Sequence, residues 1–409
     1  MVPVDNRTVR RGTGHATDRR LTALIIRNVY DLESRNLPHT FMSIDTGTET
    51  GAPSDDVIAR LEDLSVSFDM SDTEGPEARV IDEVDLDIYR NEIVGIVGES
   101  GSGKSMLASA LLDAVPKPGR TTGTVTYYPD DERDEVSVLD LDKKSLKSVR
   151  WEDISMVFQG AMSSFNPTMT IRGHFLETID AHDMDRAERM EHGKDLLKDL
   201  HLNPTRVLDS YPNELSGGMR QRALVALSLL LDPDILVMDE PTAALDLLMQ
   251  RSIISMLATL QEEYDLTIVF ITHDLPLVAG LVDRLAVLYA FQIVEIGEKR
   301  EMLENAAHPY TRALIGAVPK ISTPVDEMRP IEGYGPDPMN VPSGCSYHPR
   351  CPLADTECID EEPSLEAVDS THEVACFHWE QAEETIPYVL DQSQSRDLEA
   401  DLRPEEETP

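Results

Sequence analysis

The sequence predicts an α/β fold organised on a parallel sheet, and three observations carry that expectation. A short apolar strand, Glu92–Val97, runs straight into a glycine-rich loop and an apolar helix, Met106–Val115. Two further apolar strands follow at Ile235–Met238 and Thr267–Ile271. Helical periodicity fills about 185–202 and 216–231 between the first strand and the second. Strands buried on both faces read as continuous apolar runs, and the intervening helices are what cover those faces. With 409 residues, 41% of them hydrophobic, the chain is long enough to bury a substantial core in one large or two to three smaller domains.

The N-terminal stretch 1–41 differs in composition from the rest, with seven Arg against four acidic residues. Translation is expected to start at Met42, whose followers are acidic and polar; a basic arm on a membrane surface is the alternative. Residues 1–57 are therefore expected to be an unstructured extension. From Ile58 the pattern becomes strand-like. Leu61–Phe68 alternates, a charged loop occupies 69–79, and Val80–Tyr89 alternates again, with Asp82, Asp85 and Asp87 polar.

The loop after the first apolar strand is Gly98-Glu-Ser100-Gly101-Ser-Gly103-Lys104-Ser105. Its glycines let backbone N–H groups converge on phosphate oxygens at a helix N-terminus. Lys104 adds a point charge for the β- and γ-phosphates, and Ser105 offers its hydroxyl to Mg²⁺. Downstream, Ile235-Leu-Val-Met-Asp239-Glu240 is an apolar strand ending in two acids at the edge where α/β sheets bind ligands. Asp239 suits the metal and Glu240 suits polarisation of an attacking water. A second glycine-opened helix follows the motif Leu215-Ser216-Gly217-Gly218-Met-Arg-Gln-Arg222, making another site for phosphate.

On these residues the chain resembles the ATPase subunit of an ATP-binding cassette (ABC) transporter. The resemblance implies a P-loop nucleotide-binding domain over 58–318, with a parallel-sheet core, an antiparallel β subdomain and a helical subdomain at about 160–235. It implies that Ser216, Gly217 and Gly218 face the γ-phosphate of ATP held by a partner subunit, so that nucleotide joins two cassettes. Gln159 matches the glutamine that reaches Mg²⁺ and water and senses the permease. Asp246, in Ala244-Leu-Asp246, matches the dimer-contact loop, and His273 the residue that senses the γ-phosphate. Phe68 is expected to stack on adenine, with Tyr89 as the alternative.

Flanking segments narrow the resemblance to the dipeptide, oligopeptide and nickel importer branch. They are Met162–Thr170, Tyr211-Pro-Asn-Glu-Leu215, His308-Pro-Tyr-Thr-Arg-Ala-Leu314, Pro336-Asp-Pro-Met-Asn340 and Gly344–Pro352. The match spans about 58–380 and departs twice, with Gly160-Ala161 where Asp-Pro is usual and Phe291-Gln292 where Gly-Arg is usual. The branch implies two transmembrane permease subunits, a second related ATPase and an extracellular solute-binding protein as partners, at the cytoplasmic face of the membrane. A soluble cassette ATPase acting on DNA or ribosomes is the alternative; a single cassette without a heptad run opposes it.

The four cysteines, Cys345, Cys351, Cys358 and Cys376, lie in one C-terminal region expected to span 319–379 after a proline-rich linker. Four thiolates without other cysteines favour a metal centre over disulfides, and Zn²⁺ and an iron–sulfur cluster fit equally on ligand type. The wide spacings differ from a zinc ribbon, and the resemblance implies a [4Fe–4S] cluster. The last segment, 380–409, holds ten acids and is expected to be disordered.

Charge sets further bounds. Lys and Arg total 36 against 76 Asp and Glu, a formal net charge of −40, which repels nucleic-acid phosphates. Only nine residues are lysine, and this acid-rich, lysine-poor composition resembles proteins of salt-loving organisms; an ordinary acidic protein is the alternative. No uncharged apolar run reaches membrane-spanning length. With no secretory leader at its start, the chain is expected in a reducing cytosol.

Overall fold

In a computed structural model, the described residues are 56–69, 77–129, 133–160, 164–243, 245–317, 331, 333–386 and 388. They belong to a single unit, 48–318 with 329–409. The expectations for 1–41, for the start at Met42, for the linker over 319–330 and for the tail over 389–409 lie outside the described residues.

The chain first lays down a hairpin, β1 (Val57–Asp69) and β2 (Glu77–Tyr89). It then enters β3 (Ile93–Val97), buried at every position. After the phosphate-loop helix Lys104–Leu111, β4 (Arg120–Tyr127) returns to pair with β1, and β5 (Val136–Ser137) completes an antiparallel sheet ordered β2-β1-β4-β5. In β2 the residues facing the core are Ala78, Ile81, Val84, Leu86 and Ile88. Alternation alone places Val80 inward. The residue Glu83 takes φ 45°, the register against β1 shifts there, and the buried face passes to Ile81 instead.

The central sheet adds β6 (Ile154–Val157), β7 (Ile235–Asp239), β8 (Thr267–Thr272), β9 (Arg284–Tyr289) and β10 (Gln292–Glu298). The run β9-β3-β8-β7-β6 is parallel, as the apolar strands predict, and all residues of β3, β7 and β8 are buried. Between β6 and β7 stand the helices Ile171–Ala181, Arg186–Asp199, Pro204–Asp209 and Gly217–Ser228, within the expected helical region. Asp185 and Asn203 cap the second and third by accepting backbone N–H bonds. Phe175, Ile179, Leu196, Leu197 and Val225 are buried on the inner faces, each contributing roughly 1.5–3 kcal/mol of transfer free energy.

One departure from the resemblance has a local account. The β9–β10 turn, Ala290–Phe291, takes φ 48° and 78°, the two positive values a tight hairpin of this hand requires. Phe291 sits where glycine is usual, and its ring is buried, offsetting the backbone cost of the left-handed conformation.

The C-terminal region is not a separate lobe. Its strands β11 (Glu366–Ala367) and β12 (His372–Val374) extend the ATPase sheet, because β12 pairs antiparallel with β10. The expectation that everything from 380 onward is disordered also fails at its start. The segment Trp379–Thr385 is helical, and Tyr388 is buried, accepting a hydrogen bond from Ala306 N–H and lying 4.5 Å beneath the Arg312 guanidinium. Its acids point outward while Ala382 and Tyr388 supply the apolar contacts, so composition understated its order.

A buried carboxylate fixes this junction. Glu295, on β10, is fully buried and accepts from the Ala307 and His308 backbone N–H groups and from His372 Nε2 at 2.8 Å. Burial opposes a charge on His372, but the Glu295 carboxylate outweighs it and raises the imidazole pKa above its ordinary value. Removing the carboxylate strands all three donors, so Glu295→Ala is expected to cost about 3–5 kcal/mol in urea-monitored stability. Since the folded pKa is the higher one, the His372 contribution is whole below about pH 6.5 and fades as pH rises through the folded value. The midpoint temperature should decline over that interval in the native chain, and His372→Gln should flatten the decline.

Candidate active site

The phosphate loop leaves β3 against a close neighbour. A Cβ on Gly98 would collide with the Leu288 carbonyl oxygen on β9, and one on Gly103 with the Val80 carbonyl oxygen. Gly101 and Gly103 take φ 87° and 108°, left-handed values that glycine adopts without strain. Helix Lys104–Leu111 then starts with no side chain capping its first turn, so its leading N–H groups stay available to an anion. Lys104 is 5% exposed and its ammonium donates to the carbonyls of Gly98 (2.9 Å) and Glu99 (2.8 Å). Burial lowers its pKa, against the opposing pull of Glu240, Asp239 and Glu99.

Asp239 closes β7 beside that helix. It is 3% exposed, and burial raises its pKa against the lowering pull of the nearby Ser105 hydroxyl and Lys104. Its Oδ1 is buried without a hydrogen-bond partner. An orphaned carboxylate oxygen beside a hydroxyl and an ammonium is the donor set that a hard cation such as Mg²⁺ completes.

Glu240 follows with φ 45°, held by its N–H donating to the Ile271 carbonyl at 2.9 Å. Both carboxylate oxygens are engaged: Oε2 accepts from Gln159 Nε2 at 2.8 Å, and Oε1 lies 2.9 Å from His273 Nδ1. These partners stand just beyond β6 and β8, the strands flanking β7, so parallel pairing aligns the three groups at one sheet edge. A cleft of about 570 Å³ opens there, lined by Gly98, Glu99, Ser100, Gln159, Glu240 and His273, with Leu314, Ala317 and Ile331 along one side.

The remaining predicted residues lie elsewhere. Ser216 caps helix Gly217–Ser228 through the Met219 N–H, and Met249 covers Gly218. Asp246 caps helix Leu247–Tyr264, accepting from Leu248 and Met249 N–H groups. None of these lines that cleft. Phe68 is half-buried against Val115 and Gly119, at the end of the β1–β2 hairpin that also touches Gly103. Tyr89 stands at the opposite end with the Arg284 guanidinium 4.6 Å over its ring.

All four cysteines line one small apolar cavity, with His308, Tyr347, His348 and His378. Burial raises their pKa values, that of Cys351 to about 11 and that of Cys376 to about 12. Among the described residues, the group of three or more potential ligands whose donor atoms lie within 4.8 Å is Asp355, Cys358 and His378; no three thiols meet that spacing. Arg350 and Tyr310, which fall in the flanking segments without a role assigned to them from sequence, contact the phosphate loop. Tyr310 OH accepts the Glu99 N–H at 2.9 Å, and Arg350 grips the Glu99 carboxylate. The one available signal is an arginine placed directly before a cysteine in His348-Pro-Arg350-Cys351.

Comparison with known proteins agrees with this geometry. The ABC transporter family model matches residues 81–243, and the model of the oligopeptide/dipeptide transporter C-terminal region matches 294–358. The dipeptide transport ATP-binding protein DppD of Caldanaerobacter subterraneus subsp. tengcongensis is 40% identical over 328 residues, 80% of this chain and 98% of that protein. The chain belongs to the ATP-binding subunits of ABC transporters. The oligopeptide transport ATP-binding protein OppD of Salmonella typhimurium is 36% identical, covering 81% of this chain and 97% of its own length. Among solved structures, the dimeric ABC transporter cassette MJ0796 aligns with TM-score 0.50 and 29% identity over 59% of this chain and 99% of its own. A post-hydrolysis state of that cassette, bound to ADP and Pi, aligns equally well. As an ABC transporter ATP-binding subunit, the protein is an ATPase, and the α/β fold expected from its strands is the ABC cassette fold.

The orphaned Asp239 oxygen gives a direct check. Asp239→Asn is expected to leave affinity for metal-free ATP within about twofold while weakening Mg²⁺-ATP by about tenfold or more. Titration of a fluorescent nucleotide with and without Mg²⁺ measures the two.

Proposed function

We propose that this chain is the ATP-hydrolysing subunit of an importer of di- and oligopeptides. The observation that carries the proposal is structural continuity. The cleft lined by Gly98, Gln159, Glu240 and His273 opens at the edge of a sheet shared with a C-terminal region of the oligopeptide/dipeptide transporter type. The curated relatives over nearly their whole length are dipeptide and oligopeptide transport ATP-binding proteins. No helix of the described residues is long and apolar enough to cross a membrane. In this proposal two permease subunits, a second related ATPase and an extracellular solute-binding protein complete the assembly, with this chain at the cytoplasmic membrane face. Phe158, 52% exposed beside Gln159, supports the adjoining 160–170 segment as the permease contact. The acid-rich composition suits a salt-rich cell interior, where added salt screens self-repulsion.

Catalysis in this scheme is positioning and charge compensation. Lys104 and the loop N–H groups hold the phosphates, Phe68 stacks on the adenine, and His273 meets the γ-phosphate. Ser105, Asp239 and Gln159 hold Mg²⁺, which supplies neutralisation of the phosphate oxygens when bound. Glu240 orients the attacking water, its carboxylate fixed by Gln159 and His273. The helix opening at Ser216, Gly217 and Gly218, with Asp246, serves the nucleotide of the facing subunit, which accords with its absence from this chain's own cleft. Glu240→Gln is expected to lower kcat by about 10²–10⁴-fold and to accumulate an ATP-bound two-cassette complex on gel filtration. Unaltered turnover in that variant rejects the assignment.

For the cysteine cavity we propose a [4Fe–4S] cluster rather than Zn²⁺. Zinc at about 2.3 Å from each thiolate draws tetrahedral sulfurs to about 3.8 Å of one another. No three of the thiols lie within 4.8 Å, a wider arrangement that suits a polynuclear cluster. Anaerobic purification is expected to yield a brown protein with about four iron atoms per chain, lost in Cys376→Ser. Zinc without iron by elemental analysis overturns the proposal.

A further inference from the structure

The turn between the first two cysteines is wound tightly on itself. His348 N–H and His348 Nδ1 both lie about 3 Å from the Cys345 carbonyl, at 2.9 and 3.0 Å, and Arg350 N–H donates to the Tyr347 carbonyl at 2.9 Å. This turn delivers Arg350, next to Cys351, onto the phosphate loop. Its guanidinium donates to both carboxylate oxygens of Glu99, Nη1 to Oε2 at 2.7 Å and Nη2 to Oε1 at 3.1 Å. The Arg350 side chain is only 7% exposed, beneath the rings of Tyr289 and Tyr347 at 5.7 and 5.8 Å.

Glu99 is pinned at every polar group. Its N–H is taken by Tyr310 OH, and its carbonyl accepts from Lys104 Nζ at 2.8 Å and from the Ser102 N–H at 3.2 Å. The carbonyl that holds the phosphate-binding ammonium therefore belongs to the residue that Arg350 grips. A bidentate, largely buried guanidinium–carboxylate pair fixes both distance and plane, as a single exposed contact does not.

We propose that Arg350 is a positioning residue of the nucleotide site: through Glu99 it sets the placement of Lys104, so that the four-cysteine region sets the affinity for ATP. The proposal rests on the phosphate loop being the ATP site and adds a residue 251 positions away to its control. Arg350 touches no substrate. It holds the loop in the shape that receives the phosphates, and the aromatic rings above it hold the guanidinium in plane.

The test is a double-mutant cycle on the full-length chain, reading the Kd for Mg²⁺-ATP alongside iron content and thermal midpoint. Arg350→Gln and Glu99→Gln are each expected to raise Kd by about tenfold, and the double variant to be no worse than either single. Arg350→Lys should recover only part of the loss, because an ammonium lacks the two-pronged geometry. Iron content equal to the native chain in these variants separates the clamp from collapse of the cysteine region. A Kd within twofold of native for Glu99→Gln overturns the proposal, even if Arg350→Gln does not fold. Fully additive effects of the two substitutions also overturn it, since independent sites add. Failure of the native chain to bind ATP instead refutes the nucleotide site itself.

Discussion

The structure depends on one electrostatic juxtaposition at the carboxyl edge of the parallel sheet. A buried ammonium, Lys104, is held at the end of β3 by two loop carbonyls, and it faces two carboxylates, Asp239 and Glu240, delivered by β7. Isolated burial of any of these charges costs several kcal/mol. Together they offset one another, and what remains uncompensated is specific: one Asp239 oxygen and the N–H groups of an uncapped helix turn. Such a site asks for a cation and a polyanion at once. The surrounding architecture brings these charges to one sheet edge, with β8 between the strands β3 and β7 that deliver them.

Much of this was legible because it is local. The phosphate loop, the apolar strands and the Asp239–Glu240 step are contiguous patterns whose physical meaning does not depend on distant residues. Parallel pairing of β6, β7 and β8 then brings Gln159, Glu240 and His273 together without further information. What escaped the sequence depends on long-range partners. Arg350 and Glu99 are 251 positions apart, and nothing near either residue marks the other. Strand β12 has three residues, too few for alternation to register, yet it joins the cysteine region to the ATPase sheet. The acidic run after Trp379 reads as disordered because its anchoring contacts, Arg312 with the Glu383 and Ile386 carbonyls and with the Tyr388 ring, and Tyr388 OH with the Ala306 N–H, are invisible to composition.

The departures from the expected pattern carry physical content of their own. Phe291 occupies a left-handed turn that glycine would fill more cheaply, and its buried ring provides the compensation. Gly160, where aspartate is usual, takes φ 79°, a conformation that an aspartate reaches less readily. Its position directly after Gln159 means that the local backbone path, rather than the glutamine itself, is what this chain has altered.

That path matters because Gln159 is not free to move alone. Its amide holds Glu240 Oε2 while His273 holds Oε1, so the carboxylate is suspended between two groups standing on opposite sides of β7. β6, just before Gln159, is the edge strand of the sheet, whereas β8 is packed between β3 and β7 and buried throughout. The two supports therefore stand beyond strands that differ in packing. A hydrogen bond weakens steeply once stretched past about 3.5 Å, so a shift of under an ångström suffices to release one oxygen of the carboxylate. The geometry thus ties the orientation of Glu240 to the backbone path at Gln159 on one side of β7 and at His273 on the other.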